Sequence, residues 1–374
     1  WSNLAFSGMQ THEGNSMKSI LLASVASVAF AGAAAADVSF SGTAKLGYNS
    51  DTAIGNMGFY SDADLKVAFS QALDNGLTAA ASFGIDIGSD GLGGNAVTSG
   101  DYVVSLTSDM AGLYFGKTAT ATEAKYTGGV GKAADGLFLN DEKSADGNNT
   151  STLRGEIKYS VVDAAISVQV APGVKTAQGI QVAANTTLGG ATVAVAYQKA
   201  AGIADATAAK QKVAAAAFGV KVGYTIANAN LTAEFANVTD ANGSAFANGS
   251  YYGVGISYPV GPVTLGAQYA SNNSVTDWEV TAAYAANGIS VKAAYEKSKS
   301  WKIEGSYAYG SGLTFYAGVI DSGKDYYVAG SYDLGASTSL LVSYAKDSDN
   351  DDTDDEVGAN DYQEGATVEV AFKF

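Results

Sequence analysis

The chain has 374 residues and a formal net charge of −16, from 37 acidic and 21 basic side chains. This balance argues against nucleic acid as a partner, since phosphate binding needs a basic surface. Cysteine is absent, which excludes disulfides and thiolate metal sites.

The N-terminal region predicts an export signal rather than part of the fold. Residues 1–16 precede Met17, the first plausible initiator, and read as an upstream translated extension or a cloning remnant. Residues 17–36 then combine Lys18, the apolar run Ile20–Phe30 and the small residues Ala34–Ala36, which is the pattern of a cleaved signal peptide. The alternative is a membrane anchor, but the apolar run is short and no stop-transfer flank follows.

The remainder, residues 37–374, alternates between apolar and polar side chains. Phe83, Ile157 and Ile256 belong to the apolar face, whereas Thr78 and Ser257 belong to the polar one. A period of two predicts β-strands with one apolar and one polar face. No long window keeps a helical stripe, and glycine interrupts nearly every segment.

Nine short turns punctuate the strands, and the connections between them are often longer and more polar. The turns are Asp74–Gly76, Asp109–Gly112, Val162–Asp163, Leu188–Gly190, Ala227–Asn228, Val260–Pro262, Asn287–Gly288, Gly310–Gly312 and Leu334–Gly335. The longer connections include Gly88–Gly100, Thr120–Thr150, Asn237–Gly249 and Lys346–Asp361. Short turns at one end and long loops at the other are typical of a transmembrane β-barrel, which closes because lipid cannot satisfy an open edge. The fold class is therefore all-β, a closed antiparallel barrel with an even number of strands, and the turn count predicts twenty.

Several short segments resemble the general porins of the alphaproteobacterial outer membrane. They are Asp37–Gly42 with Lys45, Lys66–Ser70, Ser331–Gly335 and the terminal strand Val370–Phe374. The resemblance implies a homotrimer of sixteen-stranded barrels in the outer membrane of a Gram-negative bacterium. It also implies contact with lipid and lipopolysaccharide, passage of small hydrophilic solutes, and a third outer loop folded into the pore.

Residues 120–150 are the candidate constriction loop, because they are the longest internal segment without strand rhythm. The acids that we assign to the pore from this loop are Glu123, Asp135, Asp141 and Glu142. The resemblance places bases on the opposing wall, where Lys45 and Lys66 match, and alternation turns Arg154 and Lys158 inward. Opposed charges would create a transverse field that favours polar solutes, and the acidic loop predicts mild cation selectivity. The alternative, ordinary lumen or surface charges, stays open.

The densest charge block, Asp347–Glu356, imitates a calcium loop at Asp347, Asp349 and Asp351. Aspartate replaces the turn glycine, no glutamate stands at the twelfth position, and no helices flank the block. We therefore interpret 347–361 as an exposed acidic outer loop and predict no cofactor. Loose binding of calcium or another divalent cation, bridging to lipopolysaccharide, is the alternative.

The leading function is a porin that forms a water-filled channel for passive diffusion of small hydrophilic solutes and ions. The sequence predicts no enzyme, since the one histidine, His12, precedes the cleavage site and no His- or Cys-based nucleophile pair exists. The first alternative is a substrate-specific sugar or peptide channel, which should carry a ladder of aromatics on its inner face; Tyr114, Tyr251 and Tyr316 are candidates. The second is a secreted structural or adhesive β-protein.

Overall fold

The computed structural model describes most of the chain after the predicted cleavage site. The described residues are 37–51, 58–89, 97–127, 151–170, 179–200, 216–240, 248–272, 275–348 and 356–374. The predicted upstream extension 1–16 and signal peptide 17–36 lie outside them.

Twenty strands in the described residues form one antiparallel sheet. The first ten are β1 Asp37–Asn49, β2 Gly58–Ala72, β3 Thr78–Ser89, β4 Val97–Thr107, β5 Ala111–Gly116, β6 Ser151–Tyr159, β7 Val162–Val170, β8 Gly179–Leu188, β9 Ala191–Ala200 and β10 Ala216–Ile226. The others are β11 Ala229–Asp240, β12 Gly249–Val260, β13 Val263–Asn272, β14 Val275–Ala286, β15 Ile289–Glu296, β16 Trp301–Gly310, β17 Leu313–Ile320, β18 Asp325–Gly335, β19 Thr338–Lys346 and β22 Gly365–Lys373.

Within the described ranges, three short elements lie outside this sheet. They are the helix α1 Ala121–Lys125, a 3₁₀ turn at Asp321–Gly323, and a hairpin of β20 Glu356–Val357 and β21 Tyr362–Gln363. No helix in the described residues is long and apolar enough to cross a membrane.

The sheet closes because β1 pairs with both β2 and β22. The pairing of the first and last strands runs from Thr43 opposite Lys373 to Asn49 opposite Thr367. It extends to the terminal residue, since Gly42 and Phe374 exchange both backbone hydrogen bonds, at 2.8 and 3.0 Å. Every one of the twenty described strands thus has a neighbour on both sides, as a lipid environment requires.

The alternation of the sequence becomes an outer and an inner face. Phe83, Ile157, Val254, Ile256 and Val280 point outward and are 38–58% exposed. A soluble protein would bury side chains of this kind in a core, so their exposure marks the lipid-facing surface. The polar residues between them, such as Thr78 and Ser257, line the lumen.

The nine short turns are confirmed, and with them the count of twenty strands. The sixteen strands that the resemblance implied are wrong for this chain, because each of the nine turns joins two strands and β1 and β22 complete the barrel. Two turns lie two residues from their predicted places, at Ser160–Val161 and Ala336–Ser337. Asn287–Gly288 shows the turn chemistry that the sequence suggested, since both residues adopt positive φ, 54° and 76°.

Candidate functional site: the pore interior

The third outer loop leaves β5 at Gly116 and turns into the lumen. Its helix α1 begins at a capping box, in which the Thr120 side chain accepts from the Glu123 backbone and the Glu123 carboxylate accepts from the Thr120 amide at 3.1 Å. This reciprocal cap fixes a helix of five residues that would be too short to persist alone. The predicted inward-folded loop is thus confirmed for its described part.

Polar side chains of β7 to β9 hold the first turn of α1 against the lumen wall. The Ala121 amide donates to Ser167 Oγ at 2.8 Å, and the Thr122 hydroxyl donates to Gln181 Oε1 at 2.9 Å. Gln181 in turn donates to Gln198 at 2.8 Å. Thr122, Gln181 and Gln198 are each at most 3% exposed, so these bonds lie away from the water of the pore.

Arg154 on β6 holds the root of the same loop. Its guanidinium donates to the Ala119 carbonyl, lies 3.6 Å from Glu156 Oε2, and stacks 4.4 Å from the centre of the Tyr114 ring. Arg154 is buried, whereas the sequence pattern grouped it with bases facing the loop. In the structure it lies on the wall to which the loop is attached.

The end of α1 is held by ionised groups. The Lys125 ammonium lies 3.1 Å from Glu156 and 2.7 Å from Asp163, in a half-buried ion-pair network. One residue further, the Tyr126 hydroxyl donates to Glu234 Oε1 at 2.8 Å. Burial raises the pKa of Tyr126, and the negative charge of Glu234 raises it further. Tyr126 is therefore a neutral donor over the whole physiological range.

The other predicted pore residues do not join this group. Lys45 lies on β1, 3.7 Å from Asp62, and Lys66 faces the lumen from β2. Lys158 is exposed near the short-turn end of β6. Asp135, Asp141 and Glu142 lie outside the described residues. So do Asp349 and Asp351, from the acidic block that imitates a calcium loop.

The wall formed by β2 and β3 carries two aspartates that strand alternation turns toward the pore. Asp64 and Asp86 are directly opposite in the strand register, and both turn into the lumen. The Thr43 hydroxyl donates to Asp64 at 3.2 Å. Alternation alone identifies both positions as inward, but only the register shows that the two carboxylates are neighbours.

A second segment enters the lumen, and the sequence pattern did not predict it. The hairpin β20–β21 belongs to the last outer loop, whose second half is not the exposed loop that its acidic composition suggested. Val357 and Tyr362 are 3% and 5% exposed and pack on Tyr327, Ala329 and Ala345 of β18 and β19. The sequence feature that could have indicated this packing is the pair of apolar residues, Val357 and Tyr362, within an otherwise polar segment.

A family model described as Gram-negative porin matches residues 23–353. The chain therefore belongs to the Gram-negative porin family. It is an outer-membrane porin, a channel whose water-filled interior is the polar lumen described above.

Similar structures include a mutant of the Rh. blastica porin, with a TM-score of 0.40 and 15% identity over 90% of this chain and 100% of that one. A triple mutant of the Rhodopseudomonas blastica porin gives a TM-score of 0.39 and 15% identity over the same shares of the two chains. No curated protein matches this chain.

Proposed function

We propose that this porin passes small hydrophilic solutes by passive diffusion, with a mild preference for cations, and acts as a channel rather than as an enzyme. We also propose that it is exported by the signal in residues 17–36 and works as a homotrimer in contact with lipopolysaccharide. The family and the sequence pattern support these assignments.

The observation that carries the cation preference is the juxtaposition of Asp64 and Asp86 on the lumen face of β2 and β3. It lies within a wider excess of carboxylates over bases among the lumen-facing strand residues. The carboxylates are Asp62, Asp64, Asp86, Asp101, Glu156, Asp163, Glu234, Asp277, Glu279, Glu296, Glu304, Asp325, Asp333 and Glu369. The bases are Lys45, Lys66, Arg154, Lys158, Lys221, Lys292, Lys302 and Lys373.

Several of the bases are already neutralised by neighbouring acids. Lys45 lies beside Asp62, and Arg154 beside Glu156. Each such pair also neutralises its acid, so the field that a passing ion meets is set by the carboxylates in excess of the bases, and charged rings of this sign favour cations. Salt weakens the preference, because the Debye length falls from about 10 Å at 0.1 M to about 3 Å at 1 M.

Reversal potentials in a dilute KCl gradient test this proposal. The parent protein should prefer cations, and the double variant Asp64→Asn with Asp86→Asn should shift the potential toward anions. The matched control removes the same charge from the short turns, by Asp74→Asn with Asp109→Asn, and should leave the potential unchanged. Anion preference in the parent protein, or equal potentials for the two double variants, would contradict the proposal.

The lumen tyrosines favour passive diffusion over a substrate-specific channel. A sugar or peptide channel needs aromatic faces that a solute can touch in succession. The tyrosines that point inward in the described residues are Tyr60, Tyr114, Tyr126, Tyr251, Tyr316, Tyr327 and Tyr362. Tyr126, Tyr251, Tyr327 and Tyr362 are buried, and the hydroxyls of Tyr60, Tyr126 and Tyr327 donate to glutamates. They hold the pore interior in place and offer a solute little stacking surface.

A further inference from the structure

We propose that the hairpin β20–β21 forms a second wall of the pore constriction, facing the third outer loop, and that its exposed tip Ala359–Asp361 contacts passing solutes. The inference deepens the porin function and rests on it. It adds a solute-contacting segment to the one that the third outer loop supplies.

The hairpin is fixed to the barrel wall by a buried apolar contact. Tyr362 lies against Tyr327 with ring centres 4.7 Å apart, and both side chains are at most 5% exposed. Val357, 3% exposed, completes the cluster with Ala345 of β19. Burial of this extent is typical of a core and not of a solvated surface loop.

Glu304 adds a polar anchor below the rim of the barrel. Its carboxylate accepts the Ala359 amide at 2.9 Å and the Tyr327 hydroxyl at 3.1 Å. Glu304 is the fourth residue of β16 from the outer end, so the anchor lies roughly 10 Å along the strand from that end. The hairpin therefore lies inside the lumen and does not cap it from above.

Gly358 makes this close approach possible. It adopts a φ of +85°, and a Cβ on it would lie 2.3 Å from Cε1 of Tyr327. Any other residue would combine an unfavourable backbone conformation with a clash against the wall. The local sequence thus fits the docked position of the hairpin.

The hairpin and α1 lie on opposite walls. Helix α1 packs on β7 to β9, and the hairpin packs on β18 and β19. In a closed circle of twenty strands, β8 and β18 are ten positions apart, which is half of the circumference. Ala359, Asn360 and Asp361 form the exposed turn of the hairpin. Because the hairpin is anchored inside the lumen, we infer that this turn faces the open space between the two segments.

A single cysteine at the tip tests the proposal directly, because the chain has no other cysteine. The variant Asn360→Cys, in planar bilayers, should lose part of its single-channel conductance when a methanethiosulfonate reagent is added. The control is Ser298→Cys, in an exposed outer connection between β15 and β16, whose modification should leave conductance unchanged. Complete modification of Asn360→Cys, verified by mass spectrometry, with unchanged conductance would overturn the proposal.

A second pair of variants tests the anchor. Glu304→Gln should weaken the docking of the hairpin, so conductance should rise or fluctuate and amide exchange in 356–363 should accelerate. Glu279→Gln removes the same lumen charge from β14, away from the hairpin, and should leave amide exchange in 356–363 unchanged. Equal behaviour of the two variants would overturn the anchored hairpin, whereas failure of the parent protein to form any channel would instead refute the porin function.

Discussion

Two segments enter the lumen from opposite walls, and they are held by different chemistry. Around α1 the contacts are polar, from Thr122 and Gln181 through the ion pairs of Lys125 to the Tyr126 hydroxyl. Around the hairpin β20–β21 they are mainly apolar, with Val357 and Tyr362 buried on the wall.

The difference shows two ways of keeping a loop inside a water-filled pore. A polar anchor depends on directed bonds that are shielded from water, so losing one partner leaves another buried and costs its desolvation. An apolar anchor depends mainly on area removed from water, and here Glu304 adds two hydrogen bonds to it. Perturbing each anchor in the same way should therefore produce different results.

The largest effect should come from Arg154→Leu. The change removes a buried guanidinium from Glu156 and from the Ala119 carbonyl, and breaking a buried ion pair costs about 3–5 kcal/mol. We expect about 3 kcal/mol, the lower end of that range, because Lys125 remains 3.1 Å from Glu156. Amide exchange in 117–127 should accelerate by about a hundredfold, while exchange in 356–363 should not change.

Lys158→Leu is the matched control for that prediction. It removes a cation from the same strand, β6, but Lys158 is exposed. It should change exchange in 117–127 very little. Similar acceleration in the two variants would mean that Arg154 acts through net charge and not through its buried contacts.

Reciprocal isosteric swaps should have intermediate effects. Thr122→Val deletes a hydroxyl that donates to buried Gln181, and Val357→Thr inserts a hydroxyl into an apolar contact. Each should destabilise its own anchor by about 1–3 kcal/mol, for opposite chemical reasons. Amide exchange in 117–127 and 356–363 should respond separately to the two swaps. If Thr122→Val leaves the amides of α1 as protected as in the parent protein, the hydrogen bond from Thr122 to Gln181 does not hold the helix in place.

Much of the fold could be predicted from the sequence, because strand alternation and turn chemistry are local. Asn287–Gly288 marks its turn by residue type, and the number of such turns fixes the number of strands. The ends of strands are less certain. No glycine marks Ser160–Val161, and Gly335 lies beside the turn Ala336–Ser337 and not within it, so both predicted turns are displaced by two residues.

The candidate site was less predictable, because it depends on contacts between distant segments. Alternation places Arg154 in the lumen, but only the path of the third loop decides that it packs behind α1. Likewise, Val357 and Tyr362 are two apolar residues near a run of acids. No feature of the neighbouring sequence indicates that they pack on Tyr327 of the barrel wall. The many acids in this loop favour the prediction of an exposed, solvated loop.

Acids at the base of the hairpin should make the stability of its anchor depend on pH. Glu364 lies between the hairpin and β22, and its carbonyl accepts from the Asn49 side chain at 2.8 Å. Burial raises the pKa of Glu364, the charges of Asp51 and Asp347 raise it further, and Lys346 opposes them. Because the folded state raises this pKa, it binds the proton more tightly than the unfolded state does. The resulting stability is present at low pH and is lost as pH rises through the folded pKa.

The smallest effect that we expect is therefore a modest gain in protection of 356–363 on acidification from neutral pH toward the raised pKa of Glu364, after correction for the intrinsic exchange rate. Charges this exposed are screened by solvent, so the gain should be small and should shrink in high salt. The contacts that hold α1 do not include Glu364, so protection of 117–127 should not follow this titration. Glu364→Gln should abolish the pH response of the hairpin. A pH response that persists in this variant would place its origin in another group, and a common response of both segments would mean that acid acts on the barrel as a whole.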